Sequence, residues 1–203
     1  MIKTKELILG VALKLFLQKN FKEVTMKEIV TKTGMSKGAF YHYFESKEKL
    51  FLEVINTFFS SVIDVDFNDY SKESLYRFYT DCNNKLDTLK IDFHEDEKEA
   101  EESYFNMNFF FMIFDALKLF PEFREKMEDY HKREIKAWME VIKKAKENGE
   151  IKSSMSDKHI AMIFIYTADG ISLDLMLGGS IENLKKEIKS LWDKFYKSLK
   201  SNE

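Results

Sequence analysis

The sequence has few residues that interrupt helices. Only one of its 203 residues is proline and seven are glycine, whereas 29 are lysine. Proline and glycine are the residues that a helix interior tolerates least, and lysine is among those that it accepts well. No segment shows the alternation of apolar and polar residues that is typical of a strand. The composition therefore predicts an all-α fold.

Cysteine and long apolar runs are also scarce. The single cysteine, Cys82, excludes an internal disulfide framework and is expected to be a buried, small apolar residue in a reducing compartment. The most apolar run, Phe105 to Phe114, has about half the length that a bilayer-spanning helix needs. The first apolar stretch is interrupted by Lys14 and has no small-residue cleavage site, which argues against a signal peptide. We therefore expect a cytoplasmic protein with no membrane span.

Positive charge is concentrated at one end of the chain. Residues 1–50 contain ten lysines and five glutamates and no aspartate or arginine, a net charge of +5, although the whole chain carries −3. A basic segment on an acidic body is typical of a protein that holds a polyanion at one end. A basic face that is merely solvated would produce the same pattern, so the charge alone does not decide between the two.

Helical periodicity and capping residues divide the N-terminal segment into four helices. The first runs from about Thr4 to Lys19. The second lies between Thr25, which forms a capping box with Glu28, and a stop at Gly34. Ser36 caps a third helix, from Lys37 to Phe44, and Ser46 caps a fourth at about 47–64. Five longer helices are predicted at about 72–90, 97–119, 122–148, 157–177 and 181–200, which gives about nine helices in total.

Two short helices joined by a tight glycine-containing turn are typical of a helix-turn-helix, whose second helix enters the major groove of DNA. In the second helix here, Lys37 can reach guanine O6 and N7. Gly38 and Ala39 are small enough to let the helix approach the bases closely, and the Ala39 methyl can contact thymine. The two short helices therefore predict a double-stranded DNA partner.

Residues 8–51 resemble the DNA-binding domain of the TetR (tetracycline repressor) family. The resemblance rests on a long, ordered set of positions: Ala12, Leu15, Phe16, Phe21, Thr25, Ile29, Gly34, Ser36, Gly38, Phe40, Tyr41, Tyr43, Phe44, Ser46, Lys47 and Leu50. It implies base contacts by Lys27, Lys37, Gly38 and Ala39, and phosphate contacts by Thr25, Tyr41, His42, Tyr43 and Lys47. Core packing is an alternative for the two tyrosines, and a neutral surface histidine is an alternative for His42.

The resemblance also implies a domain organisation. Residues 1–50 would form the helix-turn-helix domain, linked by helix 47–64 to a helical effector-binding and dimerisation domain at 51–203. Dimerisation is expected through helices 157–177 and 181–200. Ten methionines and nineteen phenylalanines suit a pocket for a small apolar or aromatic effector. The candidate pocket residues, for each of which core packing is the alternative, are Tyr79, Asn83, Phe105, Phe109, Met112, Trp138, Ile142, Tyr166 and Asp169.

Two other classes of function are considered. An enzyme is disfavoured because Glu128-x-x-His131 is a single copy of a motif that a di-iron bundle needs twice, and no nucleophile or phosphate-loop motif is present. We expect no catalytic residues, no metal and no cofactor. A helical scaffold with a non-functional helix-turn-helix is the second alternative. The sequence favours a homodimeric regulator, a repressor of a palindromic operator that a ligand releases.

Overall fold

The computed structural model describes residues 2–86, 107–178 and 182–200. Within these ranges the chain forms nine α-helices and one 3-10 turn, Phe67–Asp69, and no β-strand. The helices are α1 Ile2–Gln18, α2 Met26–Thr33, α3 Lys37–Tyr41, α4 Lys47–Ile63, α5 Leu75–Lys85, α6 Met107–Leu119, α7 Pro121–Glu147, α8 Asp157–Leu177 and α9 Leu184–Lys200. The predicted all-α fold is confirmed. Phe105 and the first part of the helix predicted at 97–119 lie outside the described residues.

Capping residues account for where the short helices begin and end. The Thr25 hydroxyl accepts a hydrogen bond from the Glu28 amide at 3.2 Å, and the Ser36 hydroxyl accepts one from the Ala39 amide at 3.3 Å. Gly34 ends α2 in the left-handed conformation, with φ of 67°. Each hydroxyl accepts a hydrogen bond from an amide that has no partner within its own helix, and Gly34 adopts the backbone conformation that ends the helix and reverses the chain.

Helix α3 is shorter than the predicted span, which reached Phe44. Regular α-helix ends at Tyr41, after which the amide of Tyr43 donates to the Phe40 carbonyl at 2.9 Å. That bond spans three residues instead of four, so the last turn tightens into 3-10 geometry. The tightened turn still carries Phe44 into the core, where it is 4% exposed.

Contacts divide the chain into two compact units. The first comprises residues 1–61 and 91–125, and the second comprises 62–90 and 126–203. The sequence predicted a boundary after residue 50, whereas the structure groups α6 with the N-terminal helices. The Asn108 amide of α6 donates to the Leu17 carbonyl at 2.9 Å. Apolar side chains from α1, α2, α3 and α4 fill the core of the first unit: Ile8, Ala12, Leu15, Phe16, Ile29, Phe40, Phe51, Val54 and Ile55.

The second unit is built on an aromatic core. Trp138 of α7 stacks on Phe164 of α8 with ring centroids 4.8 Å apart, and Trp192 of α9 packs edge-on to both. The Trp192 indole N–H donates to the Phe164 carbonyl at 2.9 Å, which satisfies its polar atom inside the core. Cys82 is partly buried against this core, and burial raises the pKa of its thiol.

We predict opposite effects on stability for two glycine substitutions. A Cβ at Gly34 or at Gly38 would meet no atom within 4 Å, but only Gly34 has a positive φ. Gly34→Ala should therefore lower the free energy of unfolding by about 1 kcal/mol. Gly38→Ala should leave it equal or higher, since alanine is the better helix former. Denaturant unfolding followed by circular dichroism measures both, and equal destabilisation would contradict the assignment of Gly34 as the obligatory glycine.

Candidate DNA-binding site

The short helix α3 presents three small or cationic residues to solvent. Phe40 is fully buried, and this fixes the inward side of the helix. Lys37, Gly38 and Ala39 are all exposed. At 100° per residue, Gly38 lies on the side almost opposite Phe40. The structure therefore leaves three of the four residues that were predicted to contact bases adjacent and exposed in α3.

No described residue packs against the position that a Cβ at Gly38 would occupy, and the backbone there is ordinary right-handed helix. Neither the backbone conformation nor a neighbouring atom requires glycine at this position. Because glycine has no side chain, the surface of the helix is recessed there. The backbone of α3 can therefore approach another surface more closely there than a larger side chain would allow.

Cations and hydroxyls surround this face. Lys27 of α2 and Lys37 of α3 are exposed, and no carboxylate among the described residues forms an ion pair with either. The Lys37 ammonium lies 5.8 Å from the centroid of the Tyr41 ring, which is 37% exposed. His42 is exposed and Tyr43 is half-buried, with their rings 5.9 Å apart. These positions suit contacts with phosphate oxygens at the rim of a groove.

Three other lysines of the first unit, Lys5, Lys19 and Lys49, form ion pairs with carboxylates. Lys19 donates to Glu28 at 2.6 Å, and Lys5 donates to Glu53 at 2.6 Å. The Lys19 ammonium lowers the pKa of Glu28 below its usual value. Lys49 pairs with Glu45. The free positive charge near α3 is therefore smaller than the count of lysines in residues 1–50 suggests.

The contacts that Lys47 makes within the chain were not predicted from the sequence. Its ammonium donates to the carbonyls of Phe21 and Val24, at 2.8 Å each. It also lies 4.4 Å from the centroid of the Phe21 ring. Both partners are more than twenty residues away in sequence, so helical spacing alone gives no signal for the contact.

The residues predicted to line an effector pocket fall in two different units. Phe109 stacks on Phe59 with ring centroids 5.4 Å apart in the first unit, where Met112 is also buried. In the second unit Tyr79, Trp138 and Ile142 are buried in the core, whereas Tyr166 and Asp169 are exposed. Phe105 lies outside the described residues. The assignment of these residues to a pocket stays a prediction.

Asn83 is the candidate pocket residue with the most unusual environment. It is 1% exposed, and its side-chain carbonyl has no hydrogen-bond donor among the described residues. A buried amide oxygen without a donor costs free energy that a bound molecule or a water can recover. The sequence analysis named Asn83 as a candidate pocket residue, but only the structure shows that its oxygen lacks a donor among the described residues.

A buried carboxyl group was missed by the sequence analysis. Glu134 of α7 has a side chain only 18% exposed, and burial raises its pKa to about 7. The negative charge of the nearby Asp169 carboxylate contributes to that shift. His131 lies 3.7 Å from Glu134, and its ring is nearly parallel to the ring of Tyr166. The group can therefore exchange a proton near neutral pH.

An apolar surface remains uncovered on α8 and α9. Four large apolar side chains there are 42–61% exposed: Tyr166, Leu173, Leu177 and Leu191. By length and composition alone, α8 is apolar enough to cross a membrane. However, Ile160, Phe164 and Ile165 of α8 pack into the core of the second unit, so one face of α8 is structural and the other has no partner among the residues that the structure describes. Trp192 lies in α9, which corresponds to a helix that the sequence assigned to the dimer interface, but it is a core residue.

Comparisons with known proteins agree with this geometry. Residues 8–54 match the family described as bacterial regulatory proteins, tetR family. The chain is 40% identical over 81 residues, 37% of its length, to the uncharacterized HTH-type transcriptional regulator YuxN of Bacillus subtilis. It is 46% identical over 52 residues, 26% of its length, to the HTH-type transcriptional regulator QacR of Staphylococcus aureus. Each match spans 28% of the relative's own length.

Similarity of fold extends over almost the whole chain. The structure of a TetR-family transcriptional regulator from Agrobacterium tumefaciens superposes with a TM-score of 0.66 over 95% of this chain and 97% of that one. The sequence identity there is 12%, so this likeness concerns the fold alone. The family match and the relatives converge on the helices that carry the exposed face of α3. Residues 8–54 therefore belong to the TetR family of bacterial regulatory proteins, and the chain as a whole shares the fold of solved TetR-family regulators.

Proposed function

We propose that the protein is a transcription regulator that binds operator DNA as a homodimer and is released by a small molecule. The observation that carries the proposal is the exposed part of α3, where Lys37, Gly38 and Ala39 are all exposed and Gly38 lies almost opposite the buried Phe40. A helix held in this way by its own core can enter a major groove without changing conformation. The names of the relatives, both HTH-type transcriptional regulators, support the same reading over an enzyme or a scaffold.

Recognition would combine base contacts with phosphate contacts. Lys37 would donate to guanine O6 and N7, and the Ala39 methyl would pack on a thymine methyl. Lys27 would reach a further base from α2. The hydroxyls of Thr25, Tyr41 and Tyr43, together with the His42 ring, would bind phosphates and fix the register of the protein on the duplex. The net charge of +5 on residues 1–50 would attract the polyanion.

The uncovered face of α8 supports the homodimer. One recognition helix reads only a few base pairs, which is too little for specificity, so two copies on a palindrome are needed. Tyr166, Gly170, Leu173 and Leu177 recur at helical spacing along α8 and are all exposed. A second copy of the same stripe, with small Gly170 allowing close approach, would bury it with the two-fold symmetry of a palindromic operator.

Ligand control would use the second unit. A small apolar or aromatic effector would pack against the aromatic side chains of this unit. The side-chain carbonyl of Asn83, which has no donor among the described residues, would accept a hydrogen bond from it. The effector would act through its different affinities for the DNA-binding and released conformations. We infer that the protein represses transcription and that the effector releases it from DNA. We also infer that it binds its operator in the cytoplasm.

Replacing Lys37 should change sequence discrimination. Lys37→Ala should weaken binding to the preferred operator by about 1–3 kcal/mol, and most of that loss should disappear on operators altered at one base pair, since the removed contact is base-specific. Lys22→Ala removes the charge of an exposed lysine outside α3 and serves as the control. Titrations of fluorescent operator variants measure both. If Lys37→Ala weakens every operator equally, Lys37 contacts phosphate and the proposed orientation of α3 is wrong.

Charge on the uncovered stripe should separate the protomers. Leu173 and Leu177 are 45% and 61% exposed, so Leu173→Glu combined with Leu177→Glu should leave each protomer folded. Four carboxylates brought together in the dimer would be desolvated without partners, so the variant should become monomeric and lose operator binding. Light scattering gives the mass. Leu7→Glu, which changes a leucine of α1 that is 50% exposed, is the matched control and should stay dimeric. A dimeric double variant would remove α8 as the interface.

A further inference from the structure

The first residue of α4 is tied to the turn between α1 and α2. The Lys47 ammonium donates one hydrogen bond of 2.8 Å to the Phe21 carbonyl and another of 2.8 Å to the Val24 carbonyl. The same ammonium lies over the face of the Phe21 ring, 4.4 Å from its centroid. Charge-assisted hydrogen bonds and a cation over an aromatic face are among the stronger contacts that a lysine makes.

These bonds add to a set of hydrogen bonds made by Asn20 in the same turn. The Asn20 side-chain carbonyl accepts from the amides of Lys22 and Glu23, at 3.0 and 3.1 Å. The Asn20 backbone carbonyl accepts from the amide of Val24 at 3.3 Å. Asn20 therefore accepts hydrogen bonds from amides of the turn, and Lys47 donates hydrogen bonds to two of its carbonyls. Backbone polar groups in a partly buried turn need such partners.

The turn determines where α2 begins. Val24 is fully buried and directly precedes Thr25, the N-cap of α2. Phe21 packs on Phe51 of α4 with ring centroids 4.7 Å apart. Because α2 leads through Gly34 into α3, the position of this turn sets the position of the face that carries Lys37.

We propose that Lys47 is a positioning residue, which supports DNA binding by holding the α1–α2 turn against α4 and not by contacting a phosphate through its ammonium. This inference rests on the proposed DNA-binding function, and it replaces the phosphate contact that the family resemblance implied for this side chain. Two of the three ammonium hydrogens are committed to carbonyls within the chain. A phosphate could engage this side chain strongly only by breaking those bonds.

The test uses the full chain with Lys47→Met, Lys47→Arg and the control Lys22→Met, which replaces an exposed lysine of the same turn. Hydrogen–deuterium exchange followed by mass spectrometry reports on peptides covering residues 19–33. Titrations over a salt series, on a fragment that the wild-type chain selects from random DNA, report affinity and salt slope. Lys47→Met should raise exchange in this segment about tenfold and weaken binding about tenfold, with an unchanged salt slope. Lys47→Arg, which keeps the donors, should recover part of both, and Lys22→Met should not change the exchange.

A direct phosphate contact has a different signature. Lys47→Met would then leave exchange at the wild-type rate and make the salt slope shallower by about 0.9. Recovery of affinity by Lys47→Arg with exchange still fast would also overturn the positioning role. Failure of the proposed function is a separate outcome, in which the wild-type chain selects no DNA although Lys47→Met still raises exchange.

Discussion

The burial of Phe40 is the constraint on which the functional face depends. Helix α3 has five residues, too few to be stable alone, so its conformation and orientation come from packing. Phe40 within it and Phe44 just after it both enter the core of the first unit. The burial of Phe40 places Gly38 on the solvent side of the helix, and Lys37 and Ala39 beside it are exposed as well. The same packing that forms the helix therefore presents the residues that would read DNA.

The parts around α3 serve to fix that presentation. Gly34 reverses the chain between α2 and α3, Ser36 caps α3, and Lys47 holds the turn that precedes α2. None of these contacts uses the exposed face, so the face stays free for a partner. The second unit has an aromatic core and one apolar stripe of α8 that no described residue covers. The exposed part of α3 and this stripe of α8 are thereby built on separate cores.

Features that depend on residues close together in the sequence were predicted correctly, whereas contacts between distant segments were not predicted. Thr25, Gly34, Ser36 and the span 157–177 were located correctly because caps and helical periodicity act within one or two turns. The Lys47 contact, the burial of Trp192 and the grouping of α6 with α1 depend on packing between distant segments. The assignment of the candidate pocket residues stays a prediction. Apolar periodicity does not show that Phe109 and Trp138 belong to different units, because that division depends on contacts between distant segments.

The central claim is that two copies of the α3 face read a symmetric DNA sequence. Its most direct test is selection of binding fragments from random double-stranded DNA by the full-length chain at physiological salt, followed by sequencing. The account predicts strong enrichment of a palindrome whose half-site centres lie about 10 base pairs, or a multiple of that, apart. Binding that stays at the non-specific level for every sequence would contradict it, as would enrichment of a single half-site without symmetry.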